Sequence, residues 1–215
     1  MPLTVDDILQ RIDSPQNRLI GASVLAVCTA ATLAYALRAI RRRRQRRQLH
    51  EAIVAAGVEY LRDVLVPDGM EGSMHVDYLL LTSRGVVVID LRDVKGNIFG
   101  GDQMTQWTVM SGADRTTFPN PQHALYDRVA AVKQFAGELP VEGRILFTRK
   151  GRFPKGLPRW TLMVDSLRTE FPPPDSEATQ SWVDGYREQW RQLCASVTES
   201  PLRRHPHFLA EVFLE

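Results

Sequence analysis

The chain has 215 residues, of which 44% are hydrophobic and 24% are charged, and its formal net charge is +2. This length suits one well-packed domain with an appendage and is too short for two full-size domains. Residues 38–49 contain seven arginines and no acid, whereas residues 51–215 contain eighteen basic and twenty-two acidic side chains. The larger part is therefore mildly acidic, which argues against a surface that coats nucleic acid without specificity.

The first predicted element is an apolar segment at residues 19–37, which has no charged side chain. As a helix it would be about 28 Å long, close to the hydrocarbon thickness of a bilayer. A buried core helix is the alternative, but such helices are usually amphipathic, and this segment is apolar or small on every face. We therefore predict a membrane-spanning helix at residues 19–37.

The charges on either side of this segment predict its orientation. Three aspartates precede it within residues 1–18, and the arginine-rich residues 38–50 follow it, a polarity opposite to that of a cleaved signal peptide. The positive-inside rule then places residues 1–18 outside the cytoplasm and the chain after the helix inside it, with the helix in a bacterial inner membrane. Residues 38–50 are expected to contact anionic lipid headgroups, and binding of DNA or RNA by the same arginines is the alternative.

Residues 51–215 are predicted to form one cytoplasmic α/β domain. The first part has a helical pattern from residue 48 to residue 65, followed by a hairpin of two strands at residues 75–82 and 86–91. Further strands are predicted at residues 105–110, 144–148 and 161–165, and further helices at residues 122–138 and 176–197. Strands mixed with two or three helices indicate an α/β or α+β fold rather than a bundle or a sandwich.

Two aspartates are predicted to face each other across this hairpin. If the chain turns between Ser83 and Arg84, Asp77 lies opposite Asp90, with their β-carbons about 5 Å apart. Carboxylates this close repel unless a cation or a proton lies between them, and Mg²⁺ prefers oxygen ligands of this kind. Arg92 projects from the same face, two residues beyond Asp90. The five histidines, in contrast, have no spacing typical of metal ligands.

The run at residues 75–100, followed by Trp107 and by an Asn-Pro helix start at residues 120–121, resembles the nuclease-related domain (NERD) family. This family belongs to the restriction-endonuclease-like PD-(D/E)xK superfamily, and the resemblance covers about residues 51–167. It implies a mixed central sheet flanked by helices and a phosphodiester-cleaving site that uses Mg²⁺. Asp77 and Asp90 would be the metal ligands, Arg92 would stand in the place of the motif base, and Glu59 would be the acid of the preceding helix.

The chain departs from the family pattern at the motif itself. The family usually has Glu-x-Lys where this chain has Asp90, Leu91 and Arg92, and the family's glutamine after Asn-Pro is displaced to Gln122. Arginine stabilises negative charge but cannot deprotonate water. The resemblance therefore implies a Mg²⁺-dependent nuclease acting on DNA or RNA. A catalytically degenerate, membrane-tethered adaptor that binds nucleic acid or a protein partner is the alternative.

A second candidate region lies at residues 144–159, which contain six basic and no acidic side chains. Phe147, Phe153 and the following Trp160 are interleaved with them. Basic charge combined with aromatic rings can follow a phosphate backbone and stack on bases, although a solvated loop explains the pattern equally well. From this region the sequence predicts nucleic-acid contacts at Arg149, Lys150, Arg152 and Lys155.

Overall fold

The structure is a computed structural model that describes residues 15–173 and 177–201. The chain divides into two compact units, residues 1–48 and residues 49–215. Helix α1, Pro15–Val54, provides the described part of the first unit and ends within the second. The predicted extracytoplasmic segment at residues 1–18 falls mostly outside the described residues.

The prediction of a membrane span at residues 19–37 is not supported. Helix α1 passes through this segment. Within the described part of the chain, no helix combines the length and the apolar character that crossing a bilayer requires.

The described residues form ten strands in two sheets. The larger sheet is mixed and has the order β10-β1-β2-β3-β7-β9, in which β1, β2 and β3 are antiparallel and β7 and β9 run parallel to β3. The smaller sheet has the order β6-β5-β4-β8. The strands are β1 Glu59–Pro67, β2 Ser73–Thr82, β3 Gly85–Arg92, β4 Gly96–Phe99, β5 Gln106–Ser111, β6 Asp114–Pro119, β7 Val141–Phe147, β8 Gly151–Arg152, β9 Thr161–Met163 and β10 Thr198–Glu199.

Four further helices flank the sheets in the described part of the chain, and a 3₁₀ turn spans Val164–Ser166. They are α2 Pro121–Lys133, α3 Leu167–Glu170, α4 Glu177–Gly185 and α5 Arg187–Ser196. Helix α2 starts where the sequence analysis expected an Asn-Pro start. The side chain of Asn120 accepts a hydrogen bond from the backbone N–H of Gln122 at 2.9 Å, and Pro121 occupies a first-turn position that needs no N–H.

The mixed α/β fold and its central hairpin confirm the sequence prediction. Tyr78 pairs with Ile89, and Thr82 pairs with Gly85, which is the expected register. The helix predicted from residue 48 to residue 65 is wrong beyond Val54, because β1 pairs along its length with β2. The single helix predicted at residues 176–197 is instead two helices separated at Tyr186.

Strand β3 is an interior strand of the larger sheet and is buried from Gly85 to Asp90. Val86 and Val88 face a core layer formed with α2, the smaller sheet and the helices α4 and α5. Val87 and Ile89 face the opposite layer, which includes Ile53 and Phe171. Burial on both faces explains the continuous apolar run of this strand. Because side chains alternate along a strand, Asp90 continues the series that faces α2.

Candidate functional site

Strands β1 and β2 change the face that they present to the core in the middle of their length. In β2, Val76 and Leu79 both belong to the layer that contains α2, although strict alternation would place them on opposite faces. The change occurs at Asp77. On the neighbouring strand β1, Asp63 lies between the residues that pair with Tyr78 and Val76. Its φ is 51°, which is uncommon for a residue other than glycine. The two strands are therefore distorted together, and each has an aspartate at the distortion.

The predicted pair of carboxylates is brought together. The paired register of the hairpin ends at Tyr78 and Ile89, so that Asp77 and Asp90 lie immediately beyond its last pair. The Asp77 Oδ2 atom accepts a hydrogen bond from the backbone N–H of Leu91 at 2.8 Å. Burial and, next in size, the charge of Asp90 raise the pKa of Asp77 to about 6. The two groups are thus close enough to interact electrostatically.

Two guanidinium groups neutralise Asp90, which is only 3% exposed. The Nη2 atom of Arg92 lies 2.7 Å from Asp90 Oδ2, and Nη1 of Arg128, on α2, lies 3.5 Å from the same oxygen. Arg128 also donates from Nε to the backbone carbonyl of His75 at 2.7 Å. Arg92 thus lies beside Asp90, as predicted. Because its guanidinium group contacts Asp90 Oδ2, a cation can bind that oxygen only if the guanidinium group of Arg92 moves.

A histidine that the sequence analysis did not select lies beside this pair. The Nδ1 atom of His75 is 3.7 Å from Asp77 Oδ1, and its Nε2 atom is 3.7 Å from Asp63 Oδ1. One side-chain donor atom from each of the three residues lies within 4.8 Å of the others. The spacing His75-x-Asp77 on one strand was the available signal. Asp63 could not be recognised, because its segment was predicted to be helical.

Glu59 is placed away from these residues. It begins β1 opposite Leu81, four residues along the strand from Asp63, which corresponds to about 13 Å. The prediction that it belongs to a helix is therefore wrong. Its Oε1 atom accepts a hydrogen bond from Arg187 at 2.9 Å, and its Oε2 atom accepts one from the indole N–H of Trp190 at 2.8 Å. In the structure, Glu59 thus joins β1 to α5.

Two of the four predicted nucleic-acid contacts take part in ion pairs within the domain. Arg149 lies 2.6 Å from Asp165, which raises the pKa of Arg149 and lowers that of the carboxylate. Lys150 lies 2.6 Å from Asp93. Because these bases already have acidic partners, binding to a phosphate backbone would have to compete with those pairs.

The other two predicted contacts, Arg152 and Lys155, are exposed. The aromatic residues near them differ in their surroundings. The rings of Phe147 and Phe153 are 4.9 Å apart and pack edge to face within the core. Trp160, in contrast, is 42% exposed. Phe147 is fully buried and is therefore not available to stack on bases, and Phe153 is partly buried against the core, whereas nucleic-acid contact by the basic residues stays a prediction.

Gln122, the displaced glutamine of the family pattern, has a structural role. Gln122 is buried, and its side-chain amide donates to Asp102 Oδ1 at 2.8 Å and to the backbone carbonyl of Arg159 at 2.9 Å. The Asn120 amide donates to the backbone carbonyl of Met104 at 2.8 Å. This network connects the start of α2 with two loops and does not include the carboxylate pair.

The mixed sheet and the aspartates on its adjacent strands define an α/β domain with a charged site beside a central hairpin. The chain belongs to the nuclease-related domain (NERD) family, which it matches over residues 39–148. An uncharacterized protein of Bacillus anthracis is 25% identical over 73 residues, which are 34% of this chain and 34% of the relative. The chain therefore matches about a third of the length of this relative. No solved structure matches the chain.

Proposed function

We propose that this chain is a nuclease that binds a divalent cation through Asp77 and Asp90 and cleaves phosphodiester bonds in DNA or RNA. Membership in the nuclease-related family supports this chemistry. The observation that carries the proposal is the close pair of carboxylates, in which burial and the charge of Asp90 raise the pKa of Asp77 to about 6. Perturbed carboxylates of this kind are concentrated at functional sites. The restriction-endonuclease-like core that the family implies is part of the same proposal.

The residues fit a hard divalent cation such as Mg²⁺ in their chemistry, because both side chains offer carboxylate oxygens. When bound, the ion would supply positive charge to the phosphate and to the attacking water. Asp77 and Asp90 would hold it. Arg92, released from Asp90, would pair with a phosphate oxygen through its planar guanidinium group.

A second candidate function is a module that binds nucleic acid or a protein partner without catalysis. The ion pair between Arg92 and Asp90, at 2.7 Å, favours it. A buried carboxylate that already has a guanidinium partner needs no metal ion for its stability. In addition, Arg92 cannot act as a base where the family has lysine.

Cleavage assays on the full chain separate the two functions. Single- and double-stranded DNA and RNA are incubated with Mg²⁺ or Mn²⁺ and with wild type, Asp90→Asn, Arg92→Lys or the exposed control Asp114→Asn. We expect Asp90→Asn to lose activity by roughly 100-fold or more, since it removes a group that holds charge at the reaction centre. Asp114→Asn should match wild type, and Arg92→Lys should keep or increase activity.

Circular dichroism spectra of each variant check that a loss of activity is not a loss of folding. If wild type cleaves none of these substrates with either ion, and Arg92→Lys gains no cleavage, the nuclease proposal is refuted. Retention of substrate in gel-shift experiments under those conditions would then support the binding module.

A further inference from the structure

We propose that Asp63, His75 and Asp77 form a site for a divalent transition-metal ion. The site shares Asp77 with the proposed nuclease centre but uses a different donor set, one imidazole nitrogen and two carboxylate oxygens. The proposal does not depend on catalysis, because it concerns binding of the ion alone.

The spacing of the donor atoms supports a shared ion rather than direct hydrogen bonds. Nδ1 of His75 lies 3.7 Å from Asp77 Oδ1, and Nε2 of the same ring lies 3.7 Å from Asp63 Oδ1, and both distances are longer than a hydrogen bond. Metal–ligand distances of about 2.0 to 2.2 Å place neighbouring donors of one ion about 3.0 to 3.6 Å apart. One ion would take only one of the two ring nitrogens. Because one donor atom from each residue already lies within 4.8 Å of the others, side-chain rotations are sufficient to complete the site.

The second oxygen of each carboxylate also contacts an N–H group of the protein, which orients the carboxylate. Asp63 Oδ2 lies 3.0 Å from Nε of Arg62, and Asp77 Oδ2 accepts the backbone N–H of Leu91 at 2.8 Å. The Oδ1 atom of each aspartate is the one that faces His75. Ligands of protein metal sites are commonly fixed by such outer hydrogen bonds, which hold the remaining donor atom in place.

Burial and charge favour a cation at this position. The side chains of Asp63, His75 and Asp77 are 15%, 7% and 24% exposed. Two carboxylates at this depth are costly unless positive charge compensates them. Arg62 pairs with Asp63, whereas the guanidinium groups nearest to Asp77 are directed to Asp90. A bound ion would add positive charge on the side of Asp77 that faces His75.

The donor set predicts which ions bind. Imidazole nitrogen suits Zn²⁺, Fe²⁺ and Ni²⁺, and carboxylate oxygen suits Mn²⁺ and Mg²⁺. A site with both kinds of donor is expected to prefer Zn²⁺ or Mn²⁺ over Mg²⁺, since Mg²⁺ binds oxygen ligands and releases its water reluctantly. Three protein ligands would leave a coordination position for water or a phosphate oxygen.

Metal binding to the full chain tests this site. Chelator-treated protein is titrated with Zn²⁺, Mn²⁺ or Mg²⁺ in a calorimeter, and Co²⁺ is used as a spectroscopic probe of nitrogen ligation. We expect His75→Gln and Asp63→Asn to weaken Zn²⁺ binding at least tenfold, a loss comparable to that seen when ligand surroundings are altered. Asn is chosen at position 63 because it tolerates a positive φ. The exposed control Asp114→Asn should bind Zn²⁺ as wild type does.

The variant Asp90→Asn separates this site from the nuclease centre. If Asp90→Asn weakens Zn²⁺ binding while Asp63→Asn and His75→Gln do not, the ion lies at the nuclease pair and the inference is overturned. Equal binding by wild type and all variants, or no Zn²⁺ binding by wild type, also overturns it. Cleavage without Zn²⁺ binding would support the nuclease alone, and Zn²⁺ binding without cleavage would support this site alone.

Discussion

The protonation of Asp77 connects a single side chain to the stability of the domain. Its pKa of about 6 in the folded protein lies above the ordinary value of 3.8, so the folded state binds this proton more tightly than the unfolded state. Ionised Asp77 therefore destabilises the fold at pH values above 6. The destabilisation decreases as the pH falls and is absent below about pH 4, where both states are protonated. Two pKa units correspond to about 3 kcal/mol.

Replacing Asp77 with asparagine tests this coupling. The variant removes the charge but keeps an acceptor for the N–H of Leu91. We expect Asp77→Asn to be more stable than wild type at pH 7.5 by about 2 to 3 kcal/mol, and to gain nothing at pH 4. Urea denaturation at both pH values measures the difference, with Asp114→Asn as the exposed control. An equal effect at the two pH values would contradict the assignment.

At the scale of elements, the smaller sheet packs through the tryptophan on β5. The ring of Trp107 is fully buried and stacks on Phe147, with ring centroids 6.2 Å apart. Gly100 follows β4 directly beneath this ring. A β-carbon at Gly100 would lie 2.4 Å from a ring atom of Trp107, closer than any unstrained contact. The glycine therefore allows the chain and the ring to approach each other.

Alanine at position 100 should consequently destabilise the domain. We expect Gly100→Ala to lower the free energy of unfolding by about 1 to 3 kcal/mol, the usual effect of overpacking a core. Gly101→Ala is the matched control, because its added β-carbon would make an ordinary contact of 3.5 Å with Met104. Thermal denaturation of the two variants makes the comparison, and similar melting temperatures would show that the ring moves aside without cost.

The sequence predicted those elements whose signals are local. Alternation and β propensity were sufficient for the β2–β3 hairpin, and its register was sufficient to predict that Asp77 approaches Asp90 and that Arg92 lies beside Asp90. Strand β1 was missed, because Val58, Leu61 and Leu65 fit helical spacing, whereas the structure pairs β1 with β2. The partners Asp63 and Arg128 depend on distant pairing and helix packing, which no local pattern contains.

At the scale of the whole domain, Glu59 connects the first strand to the last described helix. Trp190 is 1% exposed, and its indole N–H donates to Glu59. Removing the acceptor leaves a buried donor without its partner, which costs about 1 to 3 kcal/mol. We therefore expect Glu59→Ala to lower the unfolding free energy by about 2 kcal/mol in a urea titration.

A matched control for Glu59 is Glu188→Ala, which breaks the exposed pair with Arg191 and should change stability by less than about 0.5 kcal/mol. The same protein preparations test the role implied for Glu59 by the family resemblance. If cleavage by Glu59→Ala falls while the protein remains folded, the carboxylate has a catalytic role. Unchanged cleavage would indicate that Glu59 has only a structural role.

The membrane localisation of the chain and its contact with anionic lipid stay predictions. The arginine-rich part of α1 allows a separate test of them. Seven arginines and no acid lie at residues 38–49. Each basic side chain near an anionic membrane contributes about 1 kcal/mol of attraction, which salt screens. We expect the full chain to cosediment with vesicles rich in anionic lipid, to release at high salt, and not to cosediment with neutral vesicles. Equal binding to both kinds of vesicle would contradict an electrostatic contact.

The parallel pairing of β3 with β7 has a consequence for synthesis of the protein. About fifty residues separate the two strands, including three of the four strands of the smaller sheet and α2. The ribosome therefore releases β3 well before its parallel neighbour exists. During that interval the nascent chain presents a run of valines with an open backbone edge, which other chains can join. A chaperone that binds this intermediate would first contact β3, the strand that later becomes buried on both faces.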